Sequence, residues 1–414
     1  MGQPAALRCI SCGKEYDPSQ IDYTCPTCGP RRGTLEVLYD YDRLKKQLSR
    51  TTFAESGLES MWRYLPLLPV VQPEFIQPLR VGWTPAYRFP VLAERLGLKE
   101  LFVKDDGQNP TASYKDRASS IVVIKAQERE REVVTCASTG NAASSLAGFS
   151  ASTSLRTMIF VPKRAPEAKV AQLLIYGAQV FLVDGSYDDA YDLAAQAADA
   201  FGWYNRSAAV NPYLVEGKKT GALELAEQTN WNPPDAVFVG VGDGSVISGL
   251  CKGFDELARL GLIDKVPRVY GVQAEGSSPI EAAFRAYDGA SDVPIHDIAA
   301  YTLADSICVG KPRDIVKAVT YVHANGGGFV TVSDEEILTA LRDLAQQTGV
   351  FAEPAGAAAL AGLRKAVEKH NMSFDSAAIV VSGNGLKDIA SARKAVRAQA
   401  VSIRPLLEEV KRYL

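Results

Sequence analysis

The sequence has no long hydrophobic run. Although 47% of its 414 residues are apolar, no uninterrupted stretch approaches the roughly 20 residues that a membrane helix needs. Its formal net charge is only −3, so there is no basic excess for binding nucleic acid or an anionic membrane. No apolar segment follows a basic region near the N-terminus, so we expect no secretory signal. These absences predict a cytoplasmic protein with neither nucleic acid nor a membrane as partner, and the length of 414 residues is enough for two or more domains.

Cysteine is scarce and odd in number, with seven residues, which argues against a disulfide framework. Four of the seven form two Cys-x-x-Cys-Gly pairs, Cys9 with Cys12 and Cys25 with Cys28, separated by twelve residues. Because both thiolates of such a pair can hold one ion, the spacing predicts a structural zinc ribbon over residues 1–33. Four sulfur ligands would leave no open position for a catalytic water. A redox pair, or a ribbon that has lost its metal, is the alternative.

Short apolar strands and helix-length segments alternate through most of the chain. The predicted strands cover residues 101–103, 132–137, 157–161, 179–183, 236–241, 268–273 and 377–381. The predicted helices include residues 116–131, 166–176 and 187–201. Regular alternation of this kind is typical of an α/β fold in which helices cover both faces of a parallel sheet.

Lys115 lies at one of four polar turns that follow predicted strands, where ligands bind in open parallel sheets. Ser113 is the expected N-cap of the helix that begins beside it. Burial and nearby cations make a lysine reactive by lowering its pKa, and Lys104 and Arg117 are near in the sequence. On the local sequence alone, an ordinary lysine paired with a nearby aspartate is the simpler interpretation. Whether Lys115 is reactive therefore depends on the residues at the other three turns.

The loop V-G-V-G-D-G-S-V, residues 239–246, joins a predicted strand to a helix. Its backbone amides can hold a phosphate at the helix N-terminus, although it lacks the lysine and the spacing of a nucleotide P-loop. The two remaining turns contain Asn141 and Ser382. An amine, a phosphate cradle, an amide and a hydroxyl at strand ends together indicate pyridoxal phosphate.

Each of these groups has an expected role toward that cofactor. Lys115 would bond to the aldehyde, Asn141 would contact the ring hydroxyl, and Ser382 would face the pyridine nitrogen. The phosphate would be held by Gly242, Asp243, Gly244, Ser245 and Val246.

A series of motifs, in chain order, carries a resemblance to a known family. They are the cysteine ribbon, Met61-Trp62-Arg63-Tyr64, Gly82-Trp83-Thr84-Pro85, Asn109 to Arg117, Ser138-Thr139-Gly140-Asn141, Val272 to Gly276, Glu353-Pro354-Ala355 and Gly383 to Asp388. The chain resembles the threonine synthases, within the tryptophan synthase β-type (fold type II) class of pyridoxal phosphate enzymes. The class implies two three-layer domains on parallel sheets and a homodimer. The small domain would cover residues 132–207, inserted in a large domain at 34–131 and 208–414.

The resemblance also implies a lyase chemistry for the site. In family members the residue that matches Ser382 bonds the ring nitrogen without protonating it fully, which favours elimination and replacement over transamination. Lys115 would move protons on Cα and Cβ of O-phospho-L-homoserine, phosphate would leave from Cγ, and water would add at Cβ. No histidine is required, and the chain has only three.

The substrate-phosphate site is where the chain departs from the family. Family members are similar in a stretch N-S-V-N-P-Y-R, whose arginine binds the phosphate, and residues 208–214 read A-A-V-N-P-Y-L. The arginine has become Leu214, and Ala142 stands where a threonine usually follows the asparagine. A buried phosphate without such a partner would cost on the order of several kcal/mol. Either Arg206 or Lys218 substitutes, or the substrate has no phosphate.

Three functions therefore stay open. The first is a threonine synthase with a rearranged phosphate site, in which Ser138, Thr139 and Arg206 bind the amino-acid substrate. The second is a related enzyme acting on another amino acid, such as a serine or threonine dehydratase or a cysteate synthase-like replacement enzyme. The third is a protein without catalytic activity.

Overall fold

The computed structural model describes residues 2–165, 167–208, 210–396, 398 and 400–413. The strands are β1 (Ala6–Cys9), β2 (Glu15–Tyr16), β3 (Leu35–Leu38), β4 (Ala86–Arg88), β5 (Glu100–Asp105), β6 (Val133–Ala137), β7 (Arg156–Pro162), β8 (Gln179–Val183), β9 (Tyr204–Asn205), β10 (Ala236–Gly240), β11 (Arg268–Ala274), β12 (Gly328–Val332) and β13 (Ser376–Val381). The helices are α1 (Gly29–Arg32), α2 (Tyr41–Gln47), α3 (Arg50–Ala54), α4 (Pro90–Arg95), α5 (Lys115–Glu128), α6 (Asn141–Ser150), α7 (Glu167–Ile175), α8 (Tyr187–Phe201), α9 (Tyr213–Gln228), α10 (Ser245–Arg259), α11 (Pro279–Ala286), α12 (Ile315–Asn325), α13 (Asp334–Thr348), α14 (Pro354–Glu368), α15 (Ile389–Ala395) and α16 (Leu407–Lys411). Within the described ranges, no helix has the length and apolar character needed to cross a membrane.

The larger sheet has the strand order β12-β11-β10-β13-β5-β4. Its first five strands are parallel, and the short edge strand β4 pairs antiparallel with β5. Alternate residues of β10 face opposite cores, with Val237 and Val239 on one side and Phe238 on the other. Side chains of α5, α9, α10 and α12 fill the first core, and those of α13 and α14 fill the second. The α/β fold with helices on both faces of a parallel sheet is therefore confirmed.

The smaller sheet has the order β8-β7-β6-β9 and is parallel throughout. Helix α8 covers one face, and its ends are set by local signals. Ser186 and Asp189 form a capping box, and Gly202 ends the helix in the left-handed conformation. The helix predicted at residues 166–176 is observed as α7, while Pro166 lies outside the described residues.

The cysteine segment belongs to a third, antiparallel sheet of order β2-β1-β3. Leu7 and Val37 of this sheet are completely buried in the same core as α9 and α10. Lys252 on α10 donates to the carbonyl oxygen of Val37 at 2.5 Å, and Lys317 on α12 donates to that of Leu35 at 2.9 Å. The N-terminal segment is therefore packed into the main core and is not a tethered appendage.

Candidate active site

Strand ends of both parallel sheets meet around one cavity of about 610 Å³. Residues that follow β5, β10 and β13 of the larger sheet face residues that follow β6 and β9 of the smaller sheet. All the predicted cofactor and substrate residues line it. They are Lys115, Ser138, Thr139, Asn141, Arg206, Gly242, Asp243, Gly244, Ser245, Val246 and Ser382. The structure brings these side chains together, and their individual roles stay predictions.

Lys115 is the first residue of α5, directly beside the turn that follows β13. The backbone N–H of Tyr114 donates to the carbonyl oxygen of Ser382 at 2.9 Å, which joins the two turns. The prediction that Ser113 caps this helix is wrong, because Tyr114 is the flanking residue and the Ser113 hydroxyl has no partner among the described residues. The carboxylate of Asp116 fixes the turn instead, by accepting a backbone N–H from five residues earlier at 2.7 Å.

The two cations expected to act on Lys115 belong to a separate, buried ion-pair network. Arg117 Nε lies 2.6 Å from Asp106 Oδ2, and Arg117 Nη2 lies 2.7 Å from Glu224 Oε2. Lys104 Nζ also lies 2.7 Å from Glu224 Oε2. Lys104 and Arg117, which are near Lys115 in the sequence, are therefore not available to lower its pKa, because these carboxylates neutralise them. The network instead fixes α5 against α9 beneath the cavity.

The electrostatic environment of Lys115 comes from more distant parts of the chain. Burial, and next the charge of Arg206, lowers the pKa of Lys115, whereas Glu353 and Asp243 oppose this shift. Burial and the charges of Lys115 and Arg206 likewise bring the pKa of Lys218 well below its ordinary value. Lys115, Arg206 and Lys218 thus lie on one cavity and disfavour one another's charge, and an anionic ligand would relieve this repulsion.

Arg206 and Lys218 both reach the cavity from buried positions. Arg206 follows β9 directly; its Nε donates to Ser119 Oγ at 3.2 Å, and its Nη2 has no partner among the described residues. Lys218 donates from α9 to the hydroxyl of Ser245, the first residue of α10. A buried guanidinium nitrogen without a partner is suited to bind a phosphate or carboxylate oxygen.

The residues that depart from the family pattern occupy different places. Ala142 and Ala208 line the cavity, whereas Leu214 is fully buried in the hydrophobic core and does not line it. Ala209 lies outside the described residues. Lys218 follows Leu214 by about one helical turn on α9. The helix therefore presents a cation to the cavity from its second turn.

The loop before α10 has the geometry of a phosphate cradle. Gly244 has a φ of +96°, and a Cβ there would lie 2.8 Å from the Cβ of Ala318, so only glycine fits. The N–H groups of the first turn of α10 have no intrahelical partner and can bind an anion. The carboxylate of Asp243 accepts the backbone N–H of Arg313 at 3.1 Å. The group that Asp243 could offer a ligand is therefore its backbone N–H.

Asn141 contacts a residue for which the sequence analysis predicted no role. Its Nδ2 donates to both carboxylate oxygens of Glu353, at 2.9 and 3.1 Å. Glu353 is buried and directly precedes α14. The Glu-Pro-Ala motif could have drawn attention to it, but its partner could not be predicted because 212 residues separate the two.

The arrangement fits pyridoxal phosphate, the cofactor that the resemblance implies. It offers an amine of lowered pKa, a glycine cradle at a helix N-terminus, and polar side chains at the neighbouring strand ends. The unpartnered nitrogen of Arg206 provides for a second anionic group in the same cavity.

The four predicted metal ligands also lie together. The sulfur atoms of Cys9, Cys12, Cys25 and Cys28 are all within 4.8 Å of one another. Cys12 Sγ and Cys25 Sγ are 3.8 Å apart, which matches the roughly 3.8 Å between sulfurs bound tetrahedrally to zinc at 2.3 Å. Although burial opposes it, hydrogen bonds from the Tyr16 hydroxyl and from backbone N–H groups lower the pKa of Cys25 to about 6. The cluster could hold a metal ion.

Comparison with known proteins agrees with this geometry. Residues 78–383 match the family model described as pyridoxal-phosphate dependent enzyme. The chain is 41% identical to a threonine synthase of Methanocaldococcus jannaschii over 92% of both chains. It is 37% identical to a threonine synthase of Synechocystis, over 82% of this chain and 87% of that one.

Solved structures resemble the chain in fold alone. A threonine deaminase from Solanum lycopersicum matches with a TM-score of 0.65 and 22% identity, over 75% of this chain and 82% of that one. A maize serine racemase matches with a TM-score of 0.62 and 23% identity, over 73% of this chain and 88% of that one. The sequence relatives are the closer guide, and by them the chain belongs to the threonine synthases of the pyridoxal-phosphate-dependent enzyme family.

Proposed function

We propose that this protein converts O-phospho-L-homoserine and water into L-threonine and phosphate. The observation that carries the proposal is the convergence of Lys115, Arg206 and Lys218 on one cavity, with Arg206 Nη2 unpartnered. A cofactor with one phosphate would use part of this positive charge. A substrate with its own phosphate would use the rest, because a buried cation is stabilised most by a charged partner.

Each cation has a separate assignment in this proposal. Lys218 bonds to Ser245 in the cradle loop, so it acts on the phosphate of the cofactor. Arg206 lies at the end of β9 and binds the phosphate of the substrate in place of the arginine expected at Leu214. Ser138 and Thr139 bind the rest of the substrate at the turn before α6.

Pyridoxal phosphate, when bound, supplies an electron sink for the substrate amino group. Lys115 would hold the cofactor and, as a free amine, would take one proton from Cα and one from Cβ and return them to Cα and to Cγ, which becomes a methyl group as phosphate leaves. Its lowered pKa favours the neutral amine that can accept a proton. Arg206 would hold the phosphate as it leaves from Cγ, and the Ser382 hydroxyl would bond the ring nitrogen without protonating it fully.

The alternative of a dehydratase or another replacement enzyme is not favoured. The relatives at 35–41% identity that cover 80% or more of this chain are threonine synthases. The matching deaminase and racemase structures are less than 25% identical to this chain. A likeness at that level indicates the fold and does not identify the substrate.

A turnover assay tests the proposal. With pyridoxal phosphate and O-phospho-L-homoserine, threonine and phosphate should form in equal amounts. Lys115→Ala should abolish both products. The proposal fails if no threonine forms while serine or threonine yields pyruvate or 2-oxobutanoate.

Three further properties complete the proposal. The cysteine cluster binds one structural zinc ion, residues 132–207 form a small domain inserted between 34–131 and 208–414, and the protein is a homodimer. Metal analysis, limited proteolysis and analytical ultracentrifugation test them in turn. A zinc content near zero, cleavage that ignores those boundaries, or a monomer would contradict the corresponding property.

A further inference from the structure

Glu353 connects two turns that face the cavity. Its carboxylate accepts hydrogen bonds from the side-chain amide of Asn141, and its backbone N–H donates to the carbonyl oxygen of Gly383 at 2.9 Å. A Cβ on Gly383 would lie 2.4 Å from Glu353 Oε1, so the turn after Ser382 packs directly on the carboxylate. One side chain thus contacts the turns that carry both proposed ring ligands, Asn141 and Ser382.

The hydrogen-bond geometry at Asn141 leaves one amide proton for a ligand. The Nδ2 atom has two N–H groups, and these diverge too widely for both to reach one carboxylate. Distances of 2.9 and 3.1 Å to the two oxygens of Glu353 are those of one shared N–H. The second N–H has only a weak contact, 3.4 Å to Ser306 Oγ. A cofactor atom could replace that contact without loss.

The carboxylate is held in place by charge as well as by packing. Glu353 is 5% exposed, and it directly precedes α14 without capping that helix through its side chain. Burial raises the pKa of Glu353, although the Asn141 amide and the charges of Lys115 and Lys387 oppose this shift. A buried glutamate whose carboxylate accepts from a side-chain amide, and makes no cap bond to its own helix, has no evident role in helix formation.

We infer that Glu353 is a positioning residue, which holds the Asn141 amide so that its second N–H points at the cofactor ring. The inference rests on the proposed contact between Asn141 and the cofactor, and it is independent of which amino acid is the substrate. Glu353 itself acts through Asn141 and forms no bond to the cofactor.

A double-mutant cycle on cofactor affinity tests this inference, with pyridoxal phosphate titrated into the apoenzyme and no substrate present. Glu353→Gln keeps the size of the side chain but replaces a charged acceptor by a neutral one. We expect its dissociation constant to rise about fivefold in the otherwise unchanged chain and by less than about twofold in Asn141→Ala. The absorption maximum of the bound cofactor should move in Glu353→Gln and should not move further in the double variant.

Two other variants keep the test decisive if Glu353→Gln folds poorly. Glu353→Asp keeps the charge but withdraws it by one methylene, and it should weaken cofactor binding to a similar extent. Glu256→Gln removes a buried carboxylate that pairs with Lys219 on α9, and it should lower stability while cofactor affinity stays unchanged.

Three outcomes would overturn the inference. One is an equal loss of affinity from Glu353→Gln with and without Asn141, and another is no loss in either background. The third is unchanged affinity in Asn141→Ala, which would refute the Asn141 contact as well. None of them bears on the turnover of O-phospho-L-homoserine, so the proposed function is tested separately.

Discussion

Arg117 and Glu224 form a buried, two-point ion pair, with 2.5 Å between Nη1 and Oε1 and 2.7 Å between Nη2 and Oε2. Arg117 belongs to α5, which begins at Lys115, and Glu224 belongs to α9, which carries Lys218. The pair therefore fixes the distance between the parts of α5 and α9 that carry Lys115 and Lys218. Its loss should affect the stability of the whole fold.

We expect Glu224→Gln to lower the free energy of unfolding by about 3–5 kcal/mol at pH 7, because it leaves Arg117 and Lys104 without their shared partner. Although burial opposes it, these two cations lower the pKa of Glu224 from 4.5 to about 2. A depressed carboxyl pKa contributes stability above the unfolded value, and this contribution is lost as the pH falls through the folded value. The difference between wild type and variant should therefore narrow between pH 4.5 and 2.

Denaturant unfolding at pH 7 and at pH 3 measures this difference. Glu335→Gln, a change at an exposed glutamate on α13, is the control and should leave stability unchanged. A difference that is equal at both pH values would refute the role assigned to the Glu224 carboxylate.

Removal of the proposed zinc ion should destabilise the protein beyond the cysteine segment. Leu7 and Val37 share the main core, and the Tyr23 hydroxyl accepts the backbone N–H of Asn205, next to Arg206, at 2.9 Å. We expect Cys25→Ser to lose zinc, to melt several degrees lower, and to bind O-phospho-L-homoserine more weakly. Metal analysis, calorimetry and a binding titration check the three effects.

The control for the metal experiment is Cys251→Ala, which changes a buried cysteine outside the cluster. It should keep a full complement of zinc. An unchanged melting temperature for protein stripped of metal by a chelator would contradict the stabilising role of the zinc ion.

Lys218→Gln should weaken cofactor binding through the phosphate alone. The Lys218 amine bonds to Ser245 in the cradle loop, so its loss should raise the dissociation constant of pyridoxal phosphate about tenfold. The affinity for pyridoxal, which lacks the phosphate, should change by less than about twofold. Absorbance titration of the apoenzyme with both compounds measures the ratio.

Lys219→Gln is the matched control, because Lys219 is the next residue on α9 but pairs with Glu216 and Glu256 away from the cavity. It should leave the ratio of the two affinities unchanged. Equal weakening of both compounds by Lys218→Gln would indicate a structural lysine.

Elements with strong local signals could be predicted from the sequence, and elements held by distant partners could not. Strand β8 and helix α8 have the predicted boundaries, and a local capping box of Ser333 and Glu336 starts α13. Helix α9 was missed because it is buried nearly all round, so it has no amphipathic period. Its charged residues, such as Glu224, are paired with distant elements.

In the candidate active site, too, residues with local signals could be predicted and contacts between distant residues could not. Residues that recur at strand ends, such as Lys115 and Ser382, could be predicted because parallel strands bring their carboxyl ends to one edge. The charges that act on Lys115 could not be predicted. Arg206 follows a strand of only two residues, and Glu353 contacts Asn141 although 212 positions separate them in the sequence. Proximity in the sequence suggested Lys104 and Arg117 as the cations that lower the pKa of Lys115. Both are instead neutralised by buried carboxylates.

The most direct test is the affinity of Arg206→Ala for O-phospho-L-homoserine and for L-homoserine, which differ only in the phosphate. We predict at least about a tenfold loss for the phosphorylated compound and less than about a twofold change for the other, because the guanidinium would bind phosphate oxygens. Arg164→Ala, at an exposed position on the rim of the cavity, serves as the control. An equal loss for both compounds, or no loss for either, would contradict the assignment of Arg206 to the substrate phosphate.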